Sequence, residues 1–126
     1  MPRSLHLDDD ALTVELSGLL ALGALHRRIR VPWTAITDVR ADAVALRRAR
    51  HGRFVAGRRV TFVTFEDPAR VVRIAVDRRA AGAPPLDEVV VGHAEPQWLV
   101  RCLRRRLAGA AAAVAPAALS GPARAA

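Results

Sequence analysis

Lysine, tyrosine and long apolar runs are missing from this 126-residue sequence, and cysteine occurs once. The single Cys102 excludes an intrachain disulfide and any zinc site built on several cysteines. The most apolar run, Leu19–Leu25, is far shorter than the ~20 residues that a membrane-spanning helix needs, and the Ala-rich run Ala108–Leu119 is broken by Pro116. The N-terminal residues also lack the apolar segment of a secretory signal. We therefore expect a cytoplasmic chain without a transmembrane segment.

Local residue sets that bind metals are missing as well. The histidines are widely spaced along the chain, at His6, His26, His51 and His93. This spacing places no two of them as a local pair of metal ligands. Asp8, Asp9 and Asp10 are adjacent acids, and we interpret them as a solvated turn, because a hard cation needs further oxygen ligands at defined spacing. We therefore expect no metal site.

The serines and the glycine pair of this sequence lack the neighbouring residues that catalytic and nucleotide-binding motifs require. No serine of the chain stands in a Gly-x-Ser-x-Gly elbow. Gly52 and Gly57 have the spacing of a phosphate-binding loop, but no Lys-Ser or Lys-Thr pair follows them. Asp87 and Glu88 would point to opposite faces of a strand, which argues against a shared proton. We expect no catalytic residue, no cofactor and no enzymatic activity.

Arginine supplies all 20 basic residues, and the formal net charge is +8. From Arg40 to Arg59, seven arginines stand against one acid, Asp42, so this segment alone carries +6. A guanidinium group binds phosphate through two hydrogen bonds at once, so the segment is a candidate anion-binding loop. The candidate residues are Arg47, Arg48, Arg50, Arg53, Arg58 and Arg59. A codon bias towards arginine explains the same composition without a ligand, and both interpretations remain open.

Alternation of apolar and polar residues predicts a series of short strands. The predicted strands are Ala11–Leu16, Arg28–Val31, Ile36–Val39, Val60–Phe65, Val71–Val76 and Asp87–Gly92, with an edge strand within Asp42–Gly57. The turn signal Glu66–Ala69 favours pairing of its two flanking strands as a hairpin. Pro32 has no N–H and must end or bend its strand, and Trp33 beside it is predicted to plug the core.

Two helices are predicted beside these strands. Ser17 is a favourable N-cap for a short Leu/Ala-rich helix to about Leu25, and Pro96 opens a second helix. The second helix has an apolar stripe of Leu99, Cys102, Leu103 and Leu107 and a polar face of Arg101, Arg104 and Arg105. On this stripe the Cys102 thiol is predicted to be inert. The expected divisions of the chain are an N-terminal arm (1–10), one domain (11–108) and a disordered Ala/Pro-rich tail (109–126).

Several short motifs follow one another in an order that is typical of one group of domains. They are Leu16-Ser17, Ala24-Leu25-His26, Ile29–Pro32, Ile36, Val39, Phe65, Val71–Val76, Leu86–Val91 and Glu95-Pro96. In this order the chain resembles the bacterial pleckstrin-homology-like (PH-like) superfamily, most closely its small actinobacterial members of unassigned role. It departs from similar sequences in the segment 40–59, where arginine, alanine and histidine replace glycine and proline.

The resemblance implies a mainly β (α+β) fold. Its expected form is a bent antiparallel barrel of about seven strands, with a short helix after strand 1 and a C-terminal amphipathic capping helix. It also implies a binding or scaffolding role without an established substrate, since one fold serves many functions.

We therefore expect a non-catalytic binding or scaffold module. Its partner would be a protein or an anionic membrane surface bound through the arginine-rich loop, and self-association remains open. The alternative is weak nucleic-acid binding by the segment Arg40–Arg59. Phe54 is the one aromatic residue there, and single-strand binders place several stacking aromatics beside their basic residues, which disfavours this alternative.

Overall fold

A computed structural model describes residues 3–16, 28–42 and 50–119 of the chain. These residues form eight strands, a short 3-10 turn and one helix. In chain order they are β1 (Arg3–Leu7), β2 (Ala11–Leu16), β3 (Arg28–Pro32), the 3-10 turn (Trp33–Ala35), β4 (Ile36–Ala41), β5 (Arg50–Ala56), β6 (Arg59–Phe65), β7 (Val71–Val76), β8 (Glu88–Gly92) and α1 (Pro96–Leu119). The mainly β class with a C-terminal helix is therefore confirmed.

The strands form two sheets. β1, β2 and β3 make an antiparallel three-stranded sheet in that order. The second sheet has five strands in the order β4-β7-β8-β6-β5, and its neighbours are antiparallel except for β6 and β8, which are parallel. The described chain thus has two sheets and one parallel pair, where the resemblance implies an antiparallel barrel of about seven strands.

The predicted hairpin between β6 and β7 is wrong. The turn between them does form, because the Arg70 N–H donates to the Asp67 carbonyl oxygen at 3.0 Å. The two strands nevertheless do not pair, since β8 lies between them and bonds to both. The run Val89–Val91 is buried on both of its faces, as a central strand requires. A turn signal fixes the chain reversal, whereas distant segments decide which strands become neighbours.

One core joins both sheets to helix α1. Its largest fully buried side chains include Leu12 in the first sheet, Phe62 and Ile74 in the second sheet, and Leu103 in the helix. Each of these four is at most 1% exposed. Full burial of one such side chain stabilises the fold by about 1.5 to 3 kcal/mol, so the core holds the two sheets and the helix together.

Trp33 fills the corner between the two sheets, as predicted. β3 ends at Pro32, and the 3-10 turn that begins at Trp33 leads into β4. The Trp33 side chain is 4% exposed, and its indole Nε1–H donates to the Asp8 carbonyl oxygen at 2.9 Å. The ring is therefore packed in the core while its polar atom is satisfied, which ties the β1–β2 turn to the start of the second sheet.

Helix α1 packs on β4, β7 and the 3-10 turn. Its buried and half-buried apolar residues include Leu99, Val100, Cys102, Leu103 and Leu107, which confirms the predicted stripe. Arg104 differs from the prediction that it only faces solvent. Its guanidinium donates to the Val39 carbonyl oxygen of β4, at 2.8 Å from Nη2 and 3.1 Å from Nε. The helix is thus joined to an edge strand by hydrogen bonds as well as by apolar packing.

The chain ends are arranged differently from the expected divisions. Residues 3–7, expected within an N-terminal arm, form β1, because Leu5 and Leu7 pack against the core beside β2. Helix α1 extends to Leu119, past the expected domain boundary at 108. The predicted short helix Ser17–Leu25 lies outside the described residues.

Candidate functional site

The β5–β6 hairpin forms one edge of the five-stranded sheet. Ala56 pairs with Arg59, so Gly57 and Arg58 alone connect the two strands. Gly57 has φ = 62° and Arg58 has a negative φ, the combination typical of a type II′ turn. Because this turn matches the natural twist of paired strands, β5 and β6 stay paired up to the turn.

The hairpin exposes two large apolar side chains near its turn. Phe54 is 40% exposed and Val55 is 67% exposed. They are adjacent in β5, so they lie on opposite faces of the strand. Among the described residues, Trp98 in helix α1 is the one other large apolar residue with comparable exposure. The two side chains therefore form no continuous patch, but both expose apolar area close to the turn.

Arginines flank these apolar residues. Arg58 is exposed in the turn, and Arg59 is 54% exposed with its guanidinium 3.2 Å from the Glu88 carboxylate. Arg53 is half-buried, and its buried Nε has no hydrogen-bond partner within the described chain. Neither Arg53 nor Arg58 forms an ion pair with a described carboxylate, and of the two only Arg58 is fully exposed to solvent.

The structure brings together part of the predicted anion site. Three of the six candidate arginines have described side chains in the hairpin, and they are Arg53, Arg58 and Arg59. Arg50 begins β5, but its side chain is outside the described residues. Arg47 and Arg48 lie wholly outside them. The candidate surface therefore combines three arginines with Phe54 and Val55, and we call it the basic hairpin.

Asp87 and Arg78 hold the turn of the basic hairpin in place. The Arg78 Nε donates to the Asp87 carboxylate at 3.0 Å, and the Val60 backbone N–H donates to it at 2.7 Å. Arg78 also donates to the Arg58 carbonyl oxygen at 3.3 Å. These bonds, first the guanidinium and then the Val60 N–H, hold the pKa of Asp87 below its ordinary value. The turn is thereby fixed to the chain that precedes β8.

Glu88 is a buried carboxylate that sequence reasoning missed. Its side chain is 6% exposed, and Arg73 donates to its two oxygens at 3.1 and 3.2 Å. Arg59 approaches the same carboxylate from the hairpin. A useful signal was available, because an acid directly before the Val89–Val91 run of a central strand must find a cationic partner. Asp87 and Glu88 bind different arginines, which agrees with their predicted opposite directions.

A second concave surface lies between β1 and the first turns of α1. This groove has a volume of about 700 Å³. Its apolar lining and aromatic rim consist of Leu5, Leu7, His93, Trp98, Leu99 and Cys102. The rings of His93 and Trp98 stack with their centroids 5.7 Å apart and their planes 22° apart. The groove is not predictable from the sequence patterns, because these patterns predict no strand at β1.

The three adjacent acids form the turn between β1 and β2. An Asp8 carboxylate oxygen accepts the backbone N–H groups of Asp10 and Ala11 at 2.8 and 2.7 Å, and these two bonds lower the pKa of Asp8. The predicted turn is therefore confirmed, although a strand precedes it. In residues 3–16, 28–42 and 50–119, no group of three or more His, Cys, Asp or Glu side chains is placed to hold a metal ion.

Comparisons of the chain with protein-family models, with curated proteins and with solved structures found no match. Within the described ranges, no helix is long and apolar enough to cross a bilayer. Function is therefore inferred from the surfaces themselves, and chiefly from the basic hairpin.

Proposed function

We propose that this protein is a non-catalytic binding module that attaches to anionic membrane surfaces through the basic hairpin. One observation carries the proposal: exposed Phe54 and Val55 lie beside Arg53 and Arg58 in the same hairpin. Binding to a bilayer surface scales with buried apolar area plus attraction to anionic lipids, and the hairpin offers both.

The expected contributions of these side chains to the binding free energy support reversible attachment. A basic side chain near an anionic bilayer contributes about 1 kcal/mol, so Arg53 and Arg58 together supply about 2 kcal/mol. Arg59 contributes less, because Glu88 already neutralises part of its charge. Phe54 and Val55 add apolar area that leaves water when the turn enters the headgroup region. Neither part holds the protein alone, since stable attachment needs two signals.

Nucleic-acid binding is the competing function for the same surface. Phe54 beside Arg53 offers one platform on which a base could stack. Val55 is the more exposed of the two apolar residues, and it has no π-face for stacking. The hairpin therefore matches a lipid interface better than a nucleic-acid strand.

The observed fold supports a particular class of domain. Two sheets and a C-terminal helix support kinship with PH-like domains, while the parallel β6–β8 pair departs from an antiparallel barrel. We propose a cytoplasmic, non-enzymatic domain that is recruited to the inner membrane surface or to a protein bound there.

Co-sedimentation with lipid vesicles tests the proposal. The wild type should bind vesicles containing phosphatidylserine, but not neutral vesicles, at about 0.15 M salt. The variant Phe54→Ser/Val55→Ser should bind about tenfold more weakly, a loss of about 1.4 kcal/mol. The variant Arg53→Gln/Arg58→Gln should bind about 30-fold more weakly, as expected for about 2 kcal/mol.

Two matched controls distinguish binding through the hairpin from non-specific binding by any exposed apolar or basic residue. Trp98→Ser removes the other exposed apolar side chain, and Arg101→Gln/Arg105→Gln removes two exposed helix charges. Both should bind vesicles within about twofold of the wild type. Equal losses in the controls and the hairpin variants would contradict the proposal. So would binding to single-stranded DNA that outcompetes the vesicles.

A further inference from the structure

Strand β5 has one unpaired side at the edge of the five-stranded sheet. It stands last in the strand order, and within the described ranges no strand pairs with its outer side. An edge strand of this kind presents backbone N–H and C=O groups that a further strand can bind. The seven residues of β5 give this edge room for a short extended segment.

The backbone of Val60 shows which groups of β5 face outward. Its N–H donates to the Asp87 carboxylate at 2.7 Å and its carbonyl oxygen accepts the Asp87 N–H at 2.8 Å, so both groups point away from β5. Val55 and Val60 are therefore a non-bonded pair of the β5–β6 ladder. Because bonded and non-bonded pairs alternate, Arg53 is the next non-bonded position. The N–H and C=O groups of Arg53 and Val55 consequently point towards the open edge.

The side chains of the same two residues define what an added strand would contact. Arg53 and Val55 are two positions apart, so their side chains lie on the same face of β5. Val55 is 67% exposed and apolar, whereas Arg53 is half-buried and cationic. A strand alongside β5 would thus place one of its side chains next to an apolar group and another next to a guanidinium group.

The charge along this edge is positive. Arg58 is exposed in the turn at the end of β5. Asp87 and Glu88, which contact the hairpin, are each bound by an arginine from outside it, so they do not offset the charges of Arg53 and Arg58. Complementary charge therefore favours an acidic partner.

A second copy of this chain is a poor occupant of the same edge. Pairing β5 with β5 would bring the same arginines together, on two molecules that each have a formal net charge of +8. Like charges that face each other across paired strands are destabilising. The edge therefore fits a different chain better than it fits itself.

We propose that the open edge of β5 binds an extended segment of a partner protein that carries acidic and apolar residues, and that this segment adds to the five-stranded sheet as a sixth strand. The backbone of Arg53 and Val55 supplies the ladder. The guanidinium groups of Arg53 and Arg58 bind acidic side chains, and Val55 contacts an apolar one. Strand addition of this kind gains affinity from main-chain bonds and specificity from alternate side chains.

This site has a regulatory consequence for the basic hairpin. The inference deepens the proposed function, on which this regulatory part rests, by naming a partner that competes with the membrane. Peptide and bilayer need the same three side chains, those of Arg53, Val55 and Arg58. A bound peptide therefore releases the protein from the membrane.

Peptide selection followed by amide exchange tests the strand site without any membrane. A displayed library of random heptapeptides is selected against the full chain and counter-selected against Val55→Pro, which discards peptides that bind elsewhere. This substitution removes an N–H that β6 does not use, and proline is accepted at such positions of edge strands. The enriched peptides should combine aspartate or glutamate with apolar residues.

Hydrogen exchange of the wild type locates the bound peptide. With an enriched peptide present, NMR should show slowed exchange at the Arg53 and Val55 amides. Exchange should stay unchanged at the Phe54 and Ala56 amides, which already bond to β6. This measurement needs no variant, so it tests the strand site even if Val55→Pro does not fold.

Matched variants separate the backbone contribution from the charge contribution. Val55→Pro should weaken the selected peptide about tenfold, whereas Val55→Thr, which keeps the N–H and the branched shape, should stay within about threefold. Arg53→Gln/Arg58→Gln should also weaken it about tenfold, and Arg101→Gln/Arg105→Gln on the helix surface should leave its affinity unchanged. No enriched peptide, enrichment of basic peptides, or binding without protection of Arg53 and Val55 would overturn the proposal.

Competition with vesicles distinguishes this inference from the proposed function. The selected peptide should release the wild type from phosphatidylserine vesicles, and simultaneous binding of both would overturn the shared site. Vesicle binding without an enriched acidic peptide would overturn this inference alone. Peptide binding without vesicle binding would support the strand site and overturn the membrane proposal. Protection of Arg53 and Val55 that rises with protein concentration alone would assign the edge to a second copy, and would also overturn the inference.

Discussion

Individual arginines of this chain differ in what their guanidinium groups contact. Arg73 and Arg78 bind carboxylates, and Arg104 binds a backbone carbonyl oxygen. Arg53 and Arg58 have no described carboxylate partner and lie beside exposed apolar side chains. A count of charges along the sequence finds the basic segment but cannot separate these groups. The partners lie far away in the sequence, so only the folded chain distinguishes a structural arginine from one available to a ligand.

Replacement of Asp87 tests whether its bonds to Arg78 and Val60 hold the turn of the hairpin in place. Asp87→Asn removes the charge that accepts bonds from Arg78 and from the Val60 N–H. We expect the free energy of unfolding at neutral pH to fall by about 1 to 2 kcal/mol, measured by urea denaturation. Asp9→Asn is the control, because Asp9 is fully exposed, and its change should stay within about 0.5 kcal/mol. Equal effects of the two substitutions would contradict this role of Asp87.

The lowered pKa of Asp87 also predicts an acid dependence of stability. The unfolded chain protonates this carboxyl at a higher pH than the folded chain does. Its contribution is therefore complete above the unfolded pKa of about 3.9 and is lost as the pH falls through the folded pKa. Between neutral pH and about pH 3, the wild type should lose more stability than Asp87→Asn. Asp8 and Glu15 have lowered pKa values too, so the variant should keep part of the acid dependence. Urea midpoints that shift equally with pH in both proteins would show that Asp87 does not contribute.

Strand β8 shows how far local sequence predicts an element. The sequence predicts a strand over Asp87–Gly92 because of its β-branched residues, and the structure has one at Glu88–Gly92. Its place between β6 and β7 depends on pairing with two earlier segments of the chain, each more than ten residues away. The continuous apolar run favours a central strand buried on both faces, but it does not name the neighbours.

The type II′ turn of the basic hairpin predicts a cost at Gly57. Gly57→Ala places a side chain at φ = 62°, although its Cβ would meet nothing within 4 Å. The cost is therefore confined to the backbone, and we expect about 1 kcal/mol of lost stability by urea denaturation. Gly109→Ala in helix α1 is the matched control, since its Cβ also meets open space. It should instead gain about 0.5 to 1 kcal/mol. A stabilising Gly57→Ala would contradict the assigned turn.

Helix docking can be tested with two neighbouring arginines. Arg104 bonds to the Val39 carbonyl oxygen of β4, whereas Arg105 is exposed and next to it in the helix. Arg104→Ala should cost about 1 kcal/mol of unfolding free energy, since an exposed charged donor contributes near the lower end of its range. Arg105→Ala should change stability by less than about 0.5 kcal/mol. Two equal values in thermal or urea unfolding would show that the contact with β4 does not hold the helix.

At the scale of the whole molecule, one core positions two separate surfaces. The buried residues of both sheets and of α1 leave the basic hairpin at one sheet edge and the groove beside β1 at another. The fold class was predictable because alternation and turn signals act locally. The arginines of the hairpin were predictable from charge. The exposure of Phe54 and Val55 was not predictable. The pattern of residues in β5 would be the same whether or not another part of the chain covered this edge of the sheet. The groove was not predictable either, because β1 forms part of it. The alternation in β1 covers too few residues to predict a strand.

The salt dependence of vesicle binding separates the charge contribution of the basic hairpin from its apolar contribution. Partitioning of the wild type onto phosphatidylserine vesicles is measured from about 0.05 to 0.5 M salt, beside the two hairpin variants. We predict that Arg53→Gln/Arg58→Gln flattens the salt dependence, because salt screens the lost charges. Phe54→Ser/Val55→Ser should weaken binding at every salt concentration and leave the slope unchanged. Wild-type protein that fails to bind at about 0.15 M salt, or hairpin variants that match its whole curve, would contradict a membrane-binding role for the hairpin.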